Sequence, residues 1–212
     1  MTPSPPSCLV FDFDGTLADT FNLAWEIFNE LSSVYGYRKI DKEDLAKARD
    51  MTMAQFIKAF RISRLKIPKM LKEGKRRLAH RIEDISPIEG IQEVLPQLRE
   101  QYPTLGILTS NSKQNVSSFL KQHDLDFFDF ISTVPKLSGK AKSLRAIMRT
   151  YTLDPVEVIY VGDESRDMKA ALKAGVHGAG VMWGFNSEKA LRLYTPKWLI
   201  KEPKKLLSLR ED

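Results

Sequence analysis

The chain is 212 residues long, with 42% hydrophobic and 28% charged residues, a formal net charge of +6 and a single cysteine. This length supports one sizeable core, or a core with a small inserted domain, and the composition excludes a disordered or fibrous chain. No apolar run approaches the roughly 20 residues of a membrane-spanning helix, the polar, proline-rich N-terminus lacks the pattern of a signal peptide, and one cysteine makes no disulfide framework, so the expected setting is the reducing cytoplasm.

In chain order, the first element is the apolar run Cys8-Leu-Val-Phe11, a buried strand that ends at Asp12. Cys8 reads as a small buried hydrophobe rather than a reactive thiol. From about Phe21 to Asp84 no good strand appears. Phe21, Ala24, Trp25, Phe28, Leu31 and Tyr35 fall at helical spacing, with Thr20 as candidate cap and Gly36 as stop. Two short helices are expected between Leu45 and Ala59, and another begins at Pro68. Ser86-Pro-Ile-Glu-Gly90 has the composition of a return hinge.

Beyond it, strand-like runs alternate with amphipathic helices. Leu105-Gly-Ile-Leu108 leads into Thr109-Ser-Asn111, Val158-Ile-Tyr-Val161 into Gly162-Asp-Glu164, and Gly178-Ala-Gly-Val-Met182 into Trp183-Gly184. Helical periodicity covers residues 92–101, 140–151 and 165–174. This alternation predicts an α/β fold: a Rossmann-like parallel sheet with helices on both faces and an all-helical insertion. In such sheets ligands bind outside the carboxyl ends of the strands, where the polar residues just named converge.

The charge is uneven. Between Lys58 and Arg81 lie ten Lys or Arg residues against one acid, Glu73. Such a stretch either draws anionic substrates or a polyanion to the insertion, or is a solvated helix face. It carries no interleaved aromatic platform and no nucleic-acid motif, so nucleic acid is not the expected partner.

Chemistry concentrates at the strand ends. Asp12 and Asp14 flank a turn for which Gly15 supplies conformational freedom. Asp163 ends another strand, and Asp167 lies four residues on, at the mouth of a helix, where capping is the simpler role for it alone. Four acids at converging strand ends repel one another unless a divalent cation is bound, and an oxygen-rich set suits Mg²⁺. Thr109, Ser110 and Asn111 offer hydroxyls and amides to phosphate oxygens. Lys140 starts a helix, mildly against the dipole, which points to an anion nearby; Lys142 competes for that role.

Asp12-Phe-Asp-Gly-Thr16, Leu108-Thr-Ser-Asn111, Lys140 in Ser138-Gly-Lys140, and Val161-Gly-Asp-Glu-Ser-Arg-Asp167 together resemble the four motifs of the haloacid dehalogenase superfamily. The resemblance covers nearly the whole chain and is strongest to the phosphoglycolate phosphatase-like branch with a helical cap after the first motif. It implies a core of residues 1–19 and 86–212, and a cap of residues 20–85. It also implies a Mg²⁺-dependent phosphatase acting on a small phosphorylated metabolite, phosphoglycolate-like or a sugar phosphate. Asp12 would be the nucleophile and Asp14 the general acid and base. Thr109, Ser110, Asn111 and Lys140 would bind the phosphoryl group. The metal would be held by the Asp12 carboxylate, the Asp14 carbonyl, Asp163 and, directly or through water, Asp167. Cap closure would hinge near Thr20 and residues 87–90.

Asp14, the second acid of the first motif, is absent from the halide-removing members, which argues against dehalogenation. Where many relatives carry Lys-Pro, this chain has Lys140-Ala141, so Lys142 stays in contention. Two alternatives remain: a phosphosugar mutase with the same core residues, and a polyanion-binding module on the same fold.

Overall fold

A computed structural model describes residues 6–134 and 139–210. The expectations that fall on residues 1–5 and on Ser138 lie outside the described residues.

Six strands form one sheet: β1 (Cys8–Phe11), β2 (Thr104–Thr109), β3 (Phe130–Thr133), β4 (Val158–Gly162), β5 (His177–Val181) and β6 (Trp198–Ile200). Their order is β3-β2-β1-β4-β5-β6, and every pairing is parallel. Parallel strands need covered faces, and the alternation of side chains supplies them. Leu9 and Phe11 enter one buried apolar cluster; Cys8 and Val10 enter a second.

The helices are α1 (Phe21–Tyr35), α2 (Lys42–Arg49), α3 (Met53–Ala59), α4 (Ile67–His80), α5 (Ile91–Gln101), α6 (Lys113–Gln122), α7 (Lys140–Tyr151), α8 (Ser165–Ala174) and α9 (Glu188–Leu191). α5 and α6 contribute Leu95, Leu98, Val116 and Phe119 to the first cluster. α7 and α8 contribute Leu144, Ile147, Met148 and Ala171 to the second. No helix among the described residues is long and apolar enough to cross a membrane.

The helices α1 to α4 lie between β1 and β2 in sequence, as the missing strand signal predicts. Asp41 caps α2 through the Asp44 amide at 2.7 Å, and Thr52 with Gln55 forms a capping box on α3. α1 stops where Gly36 adopts φ 70° and donates to Ser32 O. Thr20 does not cap α1. Its backbone is already helical (φ −91°, ψ −1°), so its hydroxyl makes no cap hydrogen bond.

The two connections into and out of this helical segment run side by side. Asp19 N donates to Ser86 O and Ile88 N to Leu17 O, each at 2.9 Å, and Ala18 bridges antiparallel to Pro87. Two strands escaped the sequence reading. β3 and β6 are short edge strands and partly exposed, so neither shows the continuous apolar run of the buried ones.

Candidate active site

Asp12 continues β1 by one residue. Its amide donates to Val161 O at 2.8 Å, which keeps it in register with β4. Its side chain is buried, with Oδ1 accepting from the Phe13 amide at 2.8 Å. The chain then turns: Gly15, at φ 76°, donates to Ala18 O. A Cβ on Gly15 would sit 2.5 Å from Asp163 Oδ2, so this position also needs to be small. The turn delivers Thr16 Oγ1 to Asp163 Oδ1 at 2.8 Å.

At the end of β2, Asn111 Nδ2 donates to both oxygens of Asp14, at 3.1 and 3.3 Å. Its Oδ1 accepts from the Ser112 amide and from Asn115 Nδ2. Asn111 is therefore locked, and it orients Asp14. Thr109 Oγ1 accepts from the Asn111 amide at 2.9 Å, so this hydroxyl and amide bond to each other. Ser110 is buried beside them.

Lys140 is the first residue of α7 and lies buried, whereas Lys142 is exposed. Its Nζ stands 2.6 Å from both Asp12 Oδ2 and Asp167 Oδ1, and 5.5 Å from the centre of the Tyr160 ring. The awkward cation at a helix start is thus explained by two buried carboxylates. Asp163, after β4, accepts from the Phe185 amide on Oδ2 at 2.7 Å. Asp167 accepts from the Glu164 amide on Oδ2, which is its capping role, and from Tyr160 on Oδ1 at 3.2 Å.

The sequence-predicted residues therefore meet in one crevice. Asp12, Asp163 and Asp167 place one carboxylate oxygen each within 4.8 Å of one another. The Asp14 carboxylate is not in that group; it is the one held by Asn111. Burial pushes Asp12 up to about 7 even though Lys140 pulls it down, and the Asp167 charge adds to the rise. Burial also raises Asp163 well above the ordinary carboxylate range, helped by Glu164, Asp12 and Asp167. For Asp167 burial is overcome by Lys140 and Arg166, and its carboxyl is held low. The same acids outweigh burial at Lys140 and raise it. Three buried carboxylates whose charge Lys140 offsets only in part fit a hard divalent cation.

Several contributors carried no individual signal in the sequence. The Thr16 hydroxyl, the Phe185 amide and the Tyr160 hydroxyl each hold a predicted acid in place. Trp183 Nε1 donates to Thr16 O at 3.2 Å, steadying the same turn. Gly184 is required by close approach, since a Cβ there would meet Asp163 Oδ2 at 2.2 Å.

The helical segment sits over this crevice. Lys75 Nζ donates to Ser110 O. Arg49 donates to the carbonyls of Met182 and Gly184 at 3.1 and 2.9 Å, and Asn186 Nδ2 returns bonds to the carbonyls of Arg49 and Met51. Of the ten basic residues between Lys58 and Arg81, Lys75 alone lines the cavity above the acids. Arg76 and Arg77 pair with Glu73, Arg77 also with Glu30, and Arg81 with Glu26. Most of the basic stretch is thus an outer, partly neutralised face.

The description haloacid dehalogenase-like hydrolase belongs to a family model that matches residues 9–181. The chain belongs to that family. Within it, the chain is 32% identical over 200 residues to a phosphoglycolate phosphatase of Synechococcus elongatus, covering 94% of each chain. It is 25% identical over 209 residues to the pyrophosphatase PpaX of Bacillus thuringiensis, covering 96% of each. A haloacid dehalogenase-like family hydrolase from Streptococcus pneumoniae shares the fold, with a TM-score of 0.79, 22% identity, and 96% and 97% of the two chains covered. This haloacid dehalogenase-like chain is an enzyme, a hydrolase of the phosphatase kind.

Proposed function

We propose that this hydrolase cleaves a small phosphate monoester with Mg²⁺ through an aspartyl-phosphate on Asp12. The observation that carries the reading is the placement of Asp12: buried at the end of the central strand, 2.6 Å from Lys140 and grouped with Asp163 and Asp167. A carboxylate so held loses little freedom on attacking phosphorus.

In this reading an Asp12 oxygen forms a bond to phosphorus as the bond from phosphorus to the ester oxygen breaks. Asp14, oriented by Asn111, gives its proton to the departing alkoxide. Asp14, now a carboxylate, then takes a proton from water, whose oxygen attacks the aspartyl-phosphate and releases phosphate and free Asp12. Lys140 neutralises charge on the Asp12 side throughout, and Thr109, Ser110 and Asn111 line the phosphoryl side. A Mg²⁺ held by the Asp12 carboxylate, the Asp14 carbonyl, Asp163 and Asp167 would supply further charge neutralisation.

Residues 20–85 act as a cap on a core of residues 1–19 and 86–212. The paired connections at Ala18 and Pro87 support this division, because the chain leaves the core and returns to it side by side there. Closure would shut water out while Asp12 reacts. The buried, unpaired Cys8 agrees with a reducing, cytoplasmic setting.

The test is phosphate release from 4-nitrophenyl phosphate and acetyl phosphate, with Mg²⁺ and with chelator, by the parent and Asp12→Asn. Release that needs both Mg²⁺ and Asp12 is expected. Release that survives Asp12→Asn overturns the covalent route.

A further inference from the structure

The crevice does not end at the acids. It opens into a cavity of about 250 Å³ roofed by the helical segment. Asp14, Ser110 and Arg166 lie at one end, and Phe28, Phe56 and Met70 are among the apolar walls. We infer that the ester this enzyme cleaves carries a bulky apolar alcohol, a ring or branched chain with one hydrogen-bond acceptor, seated in this cavity while its phosphate lies at Asp12. The inference rests on the phosphatase reading and names the substrate class of the same site.

Three independent features support it. The first is Gly74, in the middle of α4. Glycine is a poor residue for a helix interior, where alanine is the better choice. A Cβ here would meet only Leu31 Cδ1 at 3.9 Å and Ile27 Cγ2 at 4.0 Å, which is ordinary contact. Nothing in the packing demands glycine, and Gly74 lines the cavity. Ile67, Met70, Leu71, Lys75 and Leu78 of the same helix also line the cavity, and at Gly74 the helix forgoes a side chain that would take up more of the space.

The second is a pair of buried polar atoms. Thr20 Oγ1 and Trp25 Nε1 have no hydrogen-bond partner among the described residues, and both residues line the cavity. Leaving such atoms unpaired is costly. An indole N–H only donates, so the missing partner is an acceptor. An ether, carbonyl or hydroxyl oxygen on the bound alcohol supplies it.

The third is the chemistry of the walls. The cationic residues lining the cavity are Lys75 and Arg166; Lys75 donates to Ser110 O, and Arg166 pairs with Glu164. Both belong to the phosphate end. Besides the polar residues Asp14, Thr20, Ser110, Asn111, Glu164, Ser165 and Asn186, the walls are mainly aromatic and aliphatic and include methionines, which adapt their shape to a guest. A dry cavity of about 150 Å³ accepts benzene, so one substituted ring is the scale that fits. A two-carbon acid such as glycolate would leave the apolar walls and the Trp25 donor unused.

The experiment compares ethyl phosphate, cyclohexylmethyl phosphate and tetrahydropyran-2-ylmethyl phosphate. All three leave as primary alkoxides, and the last two differ by one ether oxygen. For the parent, KM should be lower for both ring esters than for ethyl phosphate by about tenfold or more, the scale of a few buried CH₂ groups. Gly74→Leu should remain folded and lose the preference for rings, its KM for the two ring esters rising toward its KM for ethyl phosphate. Trp25→Phe should keep the cyclohexyl preference and lose only the extra gain from the ether. Equal KM values across the three esters in the parent overturn the inference, as does Gly74→Leu impairing all three alike while folded.

Calorimetric binding of ethylphosphonate and cyclohexylmethylphosphonate to the parent, to Gly74→Ala and to Trp25→Phe separates this inference from the phosphatase reading. No hydrolysis of any ester, with tight binding of the cyclohexyl phosphonate, sinks the phosphatase reading and leaves the cavity assignment standing. Hydrolysis of acetyl phosphate, with equal binding of the two phosphonates, does the reverse.

Discussion

Nζ of Lys140 stands 2.6 Å from Oδ2 of Asp12, and both side chains are buried. A lysine so placed is the main counter-charge to the buried acids. Lys140→Met should lower kcat by about 10²–10³-fold, the range for losing one preorganised electrostatic partner. Exposed Lys142 offers the contrast. Lys142→Ala should leave both kcat and KM unchanged, and a large loss there would reassign the role.

Three buried carboxylates around Asp163 predict a cation-dependent fold stability. Mg²⁺ at about 100 times its Kd should add about 2.7 kcal/mol, read as a rise in Tm. Asp163→Asn should show a higher Tm than the parent in chelator, because it removes a buried repelling charge, and should show no Mg²⁺ increment. A Mg²⁺ increment that survives Asp163→Asn would place the ion elsewhere.

Cys8 supplies a pH test away from the crevice. Burial pushes its thiol up to about 12 from an ordinary 9.0, with Asp129 and Glu157 adding to the rise. The folded pKa exceeds the unfolded one, so the associated stability is complete below pH 9.0 and is lost as pH climbs toward 12. The native chain should resist iodoacetamide at pH 8 and react once unfolded in urea. The alkaline fall in stability should be shallower in Cys8→Ala. Rapid native labelling would show that β1 opens readily.

Arg49 ties the end of α2 to the carbonyls of Met182 and Gly184. Arg49→Met should speed amide exchange in residues 183–187. It should also weaken Mg²⁺ binding by about tenfold, as outer-shell changes do. Unchanged Mg²⁺ affinity would show that this tie does not steady Asp163.

Much of this was legible before any coordinates. β1, β2, β4 and β5 are buried on both faces and therefore read as apolar runs; Asp12 and Asp163 directly follow β1 and β4, and Asp167 lies in the first turn of α8, as its spacing suggests. The edge strands β3 and β6 have no such run to show. Thr20 has a cap residue's chemistry but a helical backbone, a conformational fact that residue type does not encode. Lys140 and Lys142 lie two positions apart in a basic segment, and only burial separates them. Lys75 was hidden in the same way, one of ten basic residues and the one that turns inward. The cavity was invisible because the apolar residues that line it look identical to residues that fill a core.

The stretch from Trp183 to Ser187 touches both halves of the molecule at once. Its Phe185 and Asn186 amides bond to Asp163, while the Asn186 side chain and the Ser187 amide bond to the Arg49 carbonyl. A displacement of α2 is therefore felt at Asp163, and a displacement of Asp163 is felt at α2. Thermodynamic reciprocity then requires that whatever factor the seated alcohol adds to ion affinity, the ion adds to alcohol affinity. If the ion and the alcohol bind as proposed and each strengthens the other, a fall in free Mg²⁺ would register as a change in selectivity among esters.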